Sequence, residues 1–161
     1  MYYSYLDTPI GPLLLAGTDA ELKIVRFSTG TKARQQEPAW ERNDAPFADA
    51  KRQLNEYFEG TRQAFDLPLA PLATPFQGQV LEALRAIPYG ETRSYKDIAV
   101  AVGNPKAVRA VGTANGNNPI PIIIPCHRVI GSDGSLTGFG GGLDTKRFLL
   151  ALESNHSGLF A

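Results

Sequence analysis

Apolar and aromatic residues open the chain in three short runs, Tyr2 to Leu6, Leu13 to Ala16 and Leu22 to Phe27. Thr8-Pro9-Ile10-Gly11-Pro12 and Gly17-Thr18-Asp19 separate them. Runs of this length between glycine and proline breakers predict a small antiparallel sheet. Thr29 to Asn43 is polar, holds the single tryptophan, Trp40, and is expected to be a loop. The period then changes: Phe47, Ala50, Leu54, Tyr57 and Phe58 recur at helical spacing between Pro46 and Gly60, which predicts an amphipathic helix laid on the sheet.

Leu67-Pro68-Leu69-Ala70-Pro71-Leu72-Ala73-Thr74-Pro75 carries three prolines and reads as an extended connector. It divides the chain into a sheet-and-helix domain at 1–67, a linker at 68–75 and a mostly helical domain at 76–161. The second domain opens with Thr74 as a cap, Pro75 at the first helical position and Gln77 completing a capping box, followed by a stripe of Phe76, Val80, Ala83, Leu84 and Ile87. Ser94-Tyr95-Lys96-Asp97 is a second capping box and Gly103 a stop; Asn104 and Pro105 then open a further helix through Ala114. Two short helices around a tight glycine turn predict a helix-turn-helix, a unit that is more often plainly structural than DNA-binding. A last helix is expected from Asp144 to Leu152, with Glu153 at its end. The fold class is therefore mixed α/β.

Charge changes the picture locally. The chain has equal numbers of basic and acidic residues, 16 each, but residues 92–132 hold Arg93, Lys96, Lys106, Arg109 and Arg128 against Asp97 alone. Such a patch suits phosphate and equally suits a plain solvated face. One cysteine excludes an internal disulfide or a multi-cysteine zinc site, and fits a reducing cytoplasm. No apolar run approaches the ~18 residues of a membrane helix.

That cysteine stands in Ile122-Ile123-Ile124-Pro125-Cys126-His127-Arg128-Val129-Ile130, beside one of two histidines. The isoleucines suggest a strand that stops at Pro125, leaving Cys126 where side chains can face a cleft. A thiol with a base beside it can become a nucleophile; a lone cysteine is also, commonly, a small buried hydrophobe.

Asn118-Pro119-Ile120-Pro121-Ile122-Ile123-Ile124-Pro125-Cys126-His127-Arg128-Val129 resembles the active-site signature of the O6-alkylguanine-DNA alkyltransferases, the methylated-DNA–protein-cysteine methyltransferases. Tyr89-Gly90-Glu91-Thr92-Arg93-Ser94-Tyr95, Gly103 to Gly112, and Thr137-Gly138-Phe139-Gly140-Gly141-Gly142-Leu143 through Glu153 resemble that family in the same order and spacing. The likeness is close over residues 75–153 and loose before them.

The resemblance implies a ribonuclease-H-like α/β N-terminal domain and a mostly helical C-terminal domain with a helix-turn-helix. It implies double-stranded DNA carrying O6-alkylguanine as partner, with a monomer that can cluster on DNA, no cofactor and no metal. The activity it implies is a single irreversible transfer of the alkyl group to Cys126 after base flipping, with O4-alkylthymine a poorer substrate. In that family His127 would take the thiol proton through a water, oriented by Glu153; Tyr95 would hydrogen-bond the flipped guanine and Asn118 would tie the active-site segment to the recognition helix. Arg109 would fill the gap left by the base, and Asn104, Lys106 and Ser132 would touch the DNA backbone. Phe139, Gly140 and Val129 would line the base pocket, with Phe139 standing where tyrosine is commoner. Arg128 would hold the two halves together by hydrogen bonds. The alternative is a non-transferring lesion-binding relative, in which tryptophan commonly replaces the cysteine; a cysteine hydrolase and a bare helix-turn-helix regulator fit less well.

Overall fold

The computed structural model describes residues 1–28 and 36–157. Strands β1 (Tyr2–Leu6), β2 (Leu13–Gly17) and β3 (Leu22–Phe27) form an antiparallel meander. Two residues of the expected loop form a short fourth strand, β4 (Glu41–Arg42), which runs parallel to β1 and gives the order β3-β2-β1-β4. Residues 29–35 of that loop lie outside the described residues. All five residues of β2 are buried, so both faces of the sheet are covered.

After a tight turn at Ala45–Phe47, helix α1 (Ala48–Phe58) buries Ala50, Leu54 and Tyr57. Gly60 ends it with φ +80°, pressed so closely on the His156 ring that any Cβ there would collide. The connector is extended, as its prolines predict. It also adds to the free edge of β3, where Leu22 N donates to Pro68 O (2.9 Å) and Ala70 N to Leu22 O (2.9 Å). The same edge reaches further: Val25 N donates to Pro119 O at 2.9 Å, joining the sheet to the segment before the cysteine.

The second half is built from α2 (Pro75–Arg85), the short strand β5 (Arg93–Ser94), α3 (Tyr95–Ala101), α4 (Val108–Gly116), β6 (Val129–Ile130) and α5 (Leu143–His156). Thr74 accepts from Gln77 N as expected, but the Gln77 side chain donates to Asn117 O (3.0 Å) instead of closing the box. The Ser94–Asp97 box is complete in both directions. Helix α4 departs from expectation: Asn104 makes no cap, the chain turns through Asn104–Ala107, and the helix starts at Val108 with Ala107 before it. Pro105 fits within that turn, which delays the helix. Val80, Leu84, Ile98, Ala99, Val111 and Ala114 form the core between α2, α3 and α4. Among the described residues no helix is long and apolar enough to cross a membrane.

Candidate active site

The isoleucine run is not a strand. Pro119, Pro121 and Pro125 remove three backbone donors from it. The chain instead reverses on itself, with Ile124 N donating to Ile120 O at 2.9 Å. Ile122 sits at φ 73°, a left-handed conformation that costs a β-branched residue on the order of 1–3 kcal/mol. Burial holds it there, because Ile120, Ile122 and Ile124 are each at most 1 % exposed. Cys126 then opens a single 3-10 turn, Cys126–Arg128, before β6 pairs in parallel with β5.

Burial pushes the Cys126 thiol up to about 11, against the opposing pull of a hydrogen bond from the Asn118 side chain, the charge of Lys146 and backbone hydrogen bonds at Cys126 and His127. The resting sulfur is a thiol. Asn118 is itself fixed, donating to Ile124 O (2.8 Å) and accepting from Ile120 N (3.0 Å). From the last turn of α4, Asn115 donates to Cys126 O at 3.4 Å. Residues at and just beyond the end of α4 thus both reach Cys126, Asn115 at its carbonyl and Asn118 at its thiol.

Behind the turn lies a buried ionic network. His127 Nε2 stands 2.6 Å from Glu153 Oε2, both side chains essentially without solvent contact. Arg128 donates from Nε to Glu153 Oε1 (2.8 Å) and from Nη2 to Oε2 (3.1 Å), and from Nη1 to Ile87 O (2.7 Å). Tyr57 of α1 donates its hydroxyl to Oε2 (2.7 Å) and Gly90 N to Oε1 (3.3 Å). Burial alone would raise Glu153, but the hydrogen bonds donated by His127 and Arg128, with the Arg128 charge, outweigh it and hold the carboxyl at about 2. Burial lowers His127 despite its carboxylate partner, so the imidazole is neutral. Its Nε2–H faces Glu153, which leaves Nδ1 as the acceptor, buried and without a hydrogen-bond partner among the described residues.

A cavity of about 580 Å³ opens beside Cys126, between the two halves of the molecule. Asn118, Pro121, Phe139 and Gly140 line it from the C-terminal half, and Ile24 and Phe27 of β3 from the other. Tyr95, at the start of α3, lies against Gly112 of α4, and its hydroxyl meets Thr137 Oγ1 at 3.1 Å. Val129 is fully buried and uses its carbonyl to accept from Lys146 Nζ (2.6 Å). Arg109, Asn104, Lys106 and Ser132 are all exposed. The β5–β6 pairing sets Ser94 opposite Ile130, which brings Ser132 to the same end as the start of α3. Asn118, Phe139 and Gly140 thus stand on the cavity wall with Cys126; His127 and Glu153 lie in the network behind it, and Arg109, Asn104, Lys106 and Ser132 on an exposed rim, while half-buried Tyr95 and fully buried Val129 do not line the cavity.

A family model described as the DNA binding domain of 6-O-methylguanine DNA methyltransferase matches residues 75–155, and one described as its ribonuclease-like domain matches residues 1–71. The chain belongs to the 6-O-methylguanine DNA methyltransferase family. A Methanosarcina barkeri relative named methylated-DNA–protein-cysteine methyltransferase is 56% identical over 156 residues, spanning 97% of this chain and 99% of its own. The constitutive enzyme of that name from Bacillus subtilis is 48% identical, spanning 94% of each. The crystal structure of Mycobacterium tuberculosis OGT in complex with DNA is similar with a TM-score of 0.92 at 49% identity, over 97% of this chain and 94% of that one. The mixed α/β architecture is the family's.

Two side chains at this methyltransferase-family site escaped the reading of the sequence. Tyr57 sat in an apolar helical stripe and read as core; nothing local says that its hydroxyl ends on a carboxylate 96 positions away. Lys146 did leave a signal, since 146, 149 and 153 share one helix face and its neighbours there, Leu149 and Glu153, are buried. A lysine on a buried stripe must find acceptors, and Lys146 takes the carbonyls of Val129 (2.6 Å) and Thr137 (3.2 Å).

Proposed function

We propose that the chain carries out direct-reversal repair, moving the alkyl group from O6-alkylguanine in double-stranded DNA onto Cys126 in one irreversible step. The observation that carries the reading is a single buried thiol at the wall of a cavity, backed by the His127–Glu153–Arg128 network and flanked by the exposed α3–α4 rim. In the reaction the Cys126 sulfur forms a bond to the alkyl carbon as the carbon–O6 bond breaks, and the thiol proton is balanced by one gained by the departing guanine. Neutral His127 accepts the proton at Nδ1 by way of a water, and the imidazolium so formed is stabilised by the Glu153 carboxylate. Tyr95 and Asn118 position the base and the sulfur.

DNA approaches over α3 and α4. Arg109 fills the space vacated by the flipped nucleotide, while Asn104, Lys106 and Ser132 take the phosphates, and Phe139 and Gly140 wall the pocket that receives the base, with buried Val129 supporting it from within. The acceptor works as a monomer in the reducing cytoplasm and uses no cofactor. Its product is a neutral thioether, so each molecule reacts once.

Intact mass after incubation with a duplex containing one O6-methylguanine tests this. The expected result is a gain of one methylene, about 14 Da, located on Cys126 and absent from Cys126→Ser and from an undamaged duplex. Unchanged mass with preferential binding of the damaged duplex would replace the proposal by the lesion-binding reading.

A further inference from the structure

The loop from Gly138 to Gly142 has four glycines in five residues and so little intrinsic preference for one conformation. Its ends are fixed from within the C-terminal half. Lys146 Nζ takes Thr137 O at 3.2 Å, and at the far end Gly142 N donates to Phe139 O (2.9 Å) while Gly142 O accepts from Lys146 N (3.1 Å). Its middle is held from the other half. Phe27, the last residue of β3 and 5 % exposed, places its ring centroid 5.4 Å from that of Phe139. Gly141 lies so near the same ring that a Cβ added there would stand 2.9 Å from Phe27 Cγ and Cδ2. Phe27, Phe139, Gly138, Gly140 and Cys126 all line the one cavity, and β3 is secured to the active-site segment by the Val25–Pro119 hydrogen bond of 2.9 Å.

We infer that Phe27 is a positioning residue for alkyl transfer: its ring, seated between Phe139 and the bare Cα of Gly141, fixes the glycine loop in the shape that walls the Cys126 cavity. The inference rests on the alkyl-transfer reading. It makes the N-terminal sheet part of the substrate pocket, and it gives Gly141 a reason to be glycine that is steric and not conformational. Tilted aromatic packing of this kind is specific in direction as well as apolar, so leucine at position 27 fills part of the space without dictating the loop.

The test is single-turnover methyl transfer by the full chain from an O6-methylguanine duplex, run over duplex concentration, for wild type, Phe27→Leu, Gly141→Ala and the double variant. Affinity for an undamaged duplex and thermal melting are measured beside it. Gly141→Ala is expected to lower the saturating transfer rate at least tenfold and Phe27→Leu about threefold to tenfold, both with undamaged-duplex affinity within twofold of wild type. Because leucine vacates space for the new Cβ, the double variant should transfer faster than Gly141→Ala alone. Losses that multiply, saturating rates that do not change, or rate and affinity falling together would overturn the assignment. Should Gly141→Ala not fold, the rate-against-affinity split of Phe27→Leu decides. A wild-type chain that accepts no methyl group would instead remove the alkyl-transfer reading, and the inference with it.

Discussion

Glu153→Gln is the sharpest perturbation of the buried network, because it removes one negative charge while keeping the side chain's size. Both carboxylate oxygens face donors: Arg128 Nε and Gly90 N on Oε1, and His127 Nε2, Arg128 Nη2 and Tyr57 OH on Oε2. A glutamine can present its oxygen to only one set, so its amide hydrogens oppose the other. Arg128 keeps its charge in a site where it is 6 % exposed. Breaking one partner out of a buried pair costs about 3–5 kcal/mol. The carboxyl's own titration gives a similar size: held at about 2 against an ordinary 4.5, it contributes about 3 kcal/mol at neutral pH. A domain of this size is stable by about 5–15 kcal/mol, so the variant should fold and melt about 6–20 °C lower.

The sign of the pH dependence follows from the depressed value. Stability from Glu153 is complete above its ordinary 4.5 and is lost as pH falls through about 2. Denaturant unfolding of both proteins should therefore show a gap of about 3 kcal/mol at pH 6 that closes towards pH 2. Methyl transfer at pH 7 should fall by about a hundredfold or more, since the imidazolium loses its counter-charge. A variant that melts within 2 °C of wild type, or a gap that stays constant with pH, would refute the claim that this carboxylate is ionised and bears the network.

Three further outcomes follow from the same geometry. Since burial holds the Cys126 thiol at about 11, its alkylation by a small haloacetamide should climb about tenfold per pH unit from 7 to 10, and a plateau near 9 would contradict that. Lys146→Met removes a cation that favours the thiolate and leaves the Val129 and Thr137 carbonyls without their donor; the alkylation profile should move to higher pH and unfolding should cost about 1–3 kcal/mol less. Ser94→Ala loses the α3 cap, worth about 1 kcal/mol, and should lower the melting temperature by about 2–4 °C without changing alkylation of Cys126.

What the sequence could and could not say divides along physical lines. Local signals were legible: the three strands, the Ser94–Asp97 box and the α1 stripe stand where period and breaker residues put them. The isoleucine run misled because apolar, β-branched residues favour strands while their alternating prolines forbid pairing, and the prolines decided. Asn104 misled because a good cap residue followed by proline fits a turn as well as a helix start, and here the chain turns through Asn104–Ala107. At the site, Cys126 and His127 stood out as the one thiol beside a histidine, but Glu153 was legible only through motif resemblance, since no period or spacing brings positions 127 and 153 together. Tyr57 and Phe27 were not legible as site residues at all. Each belongs to an element whose pattern is fully explained by its own domain's core.

Those two residues change how the N-terminal half should be understood. Its sheet and helix would read as scaffold from their sequence, yet α1 supplies a donor to Glu153 and β3 supplies both a wall of the cavity and a backbone bond to Pro119. The segment that carries Cys126 is strained at Ile122, and its prolines supply no backbone donors. Its geometry is thus imposed from outside, by Asn115 and Asn118 on one side, by the Arg128–Glu153 pair on another, and by β3 on the third. A site assembled in this way stays intact only while both halves remain docked. The two regions that the family models match, residues 1–71 and 75–155, accordingly share one cavity and one buried network.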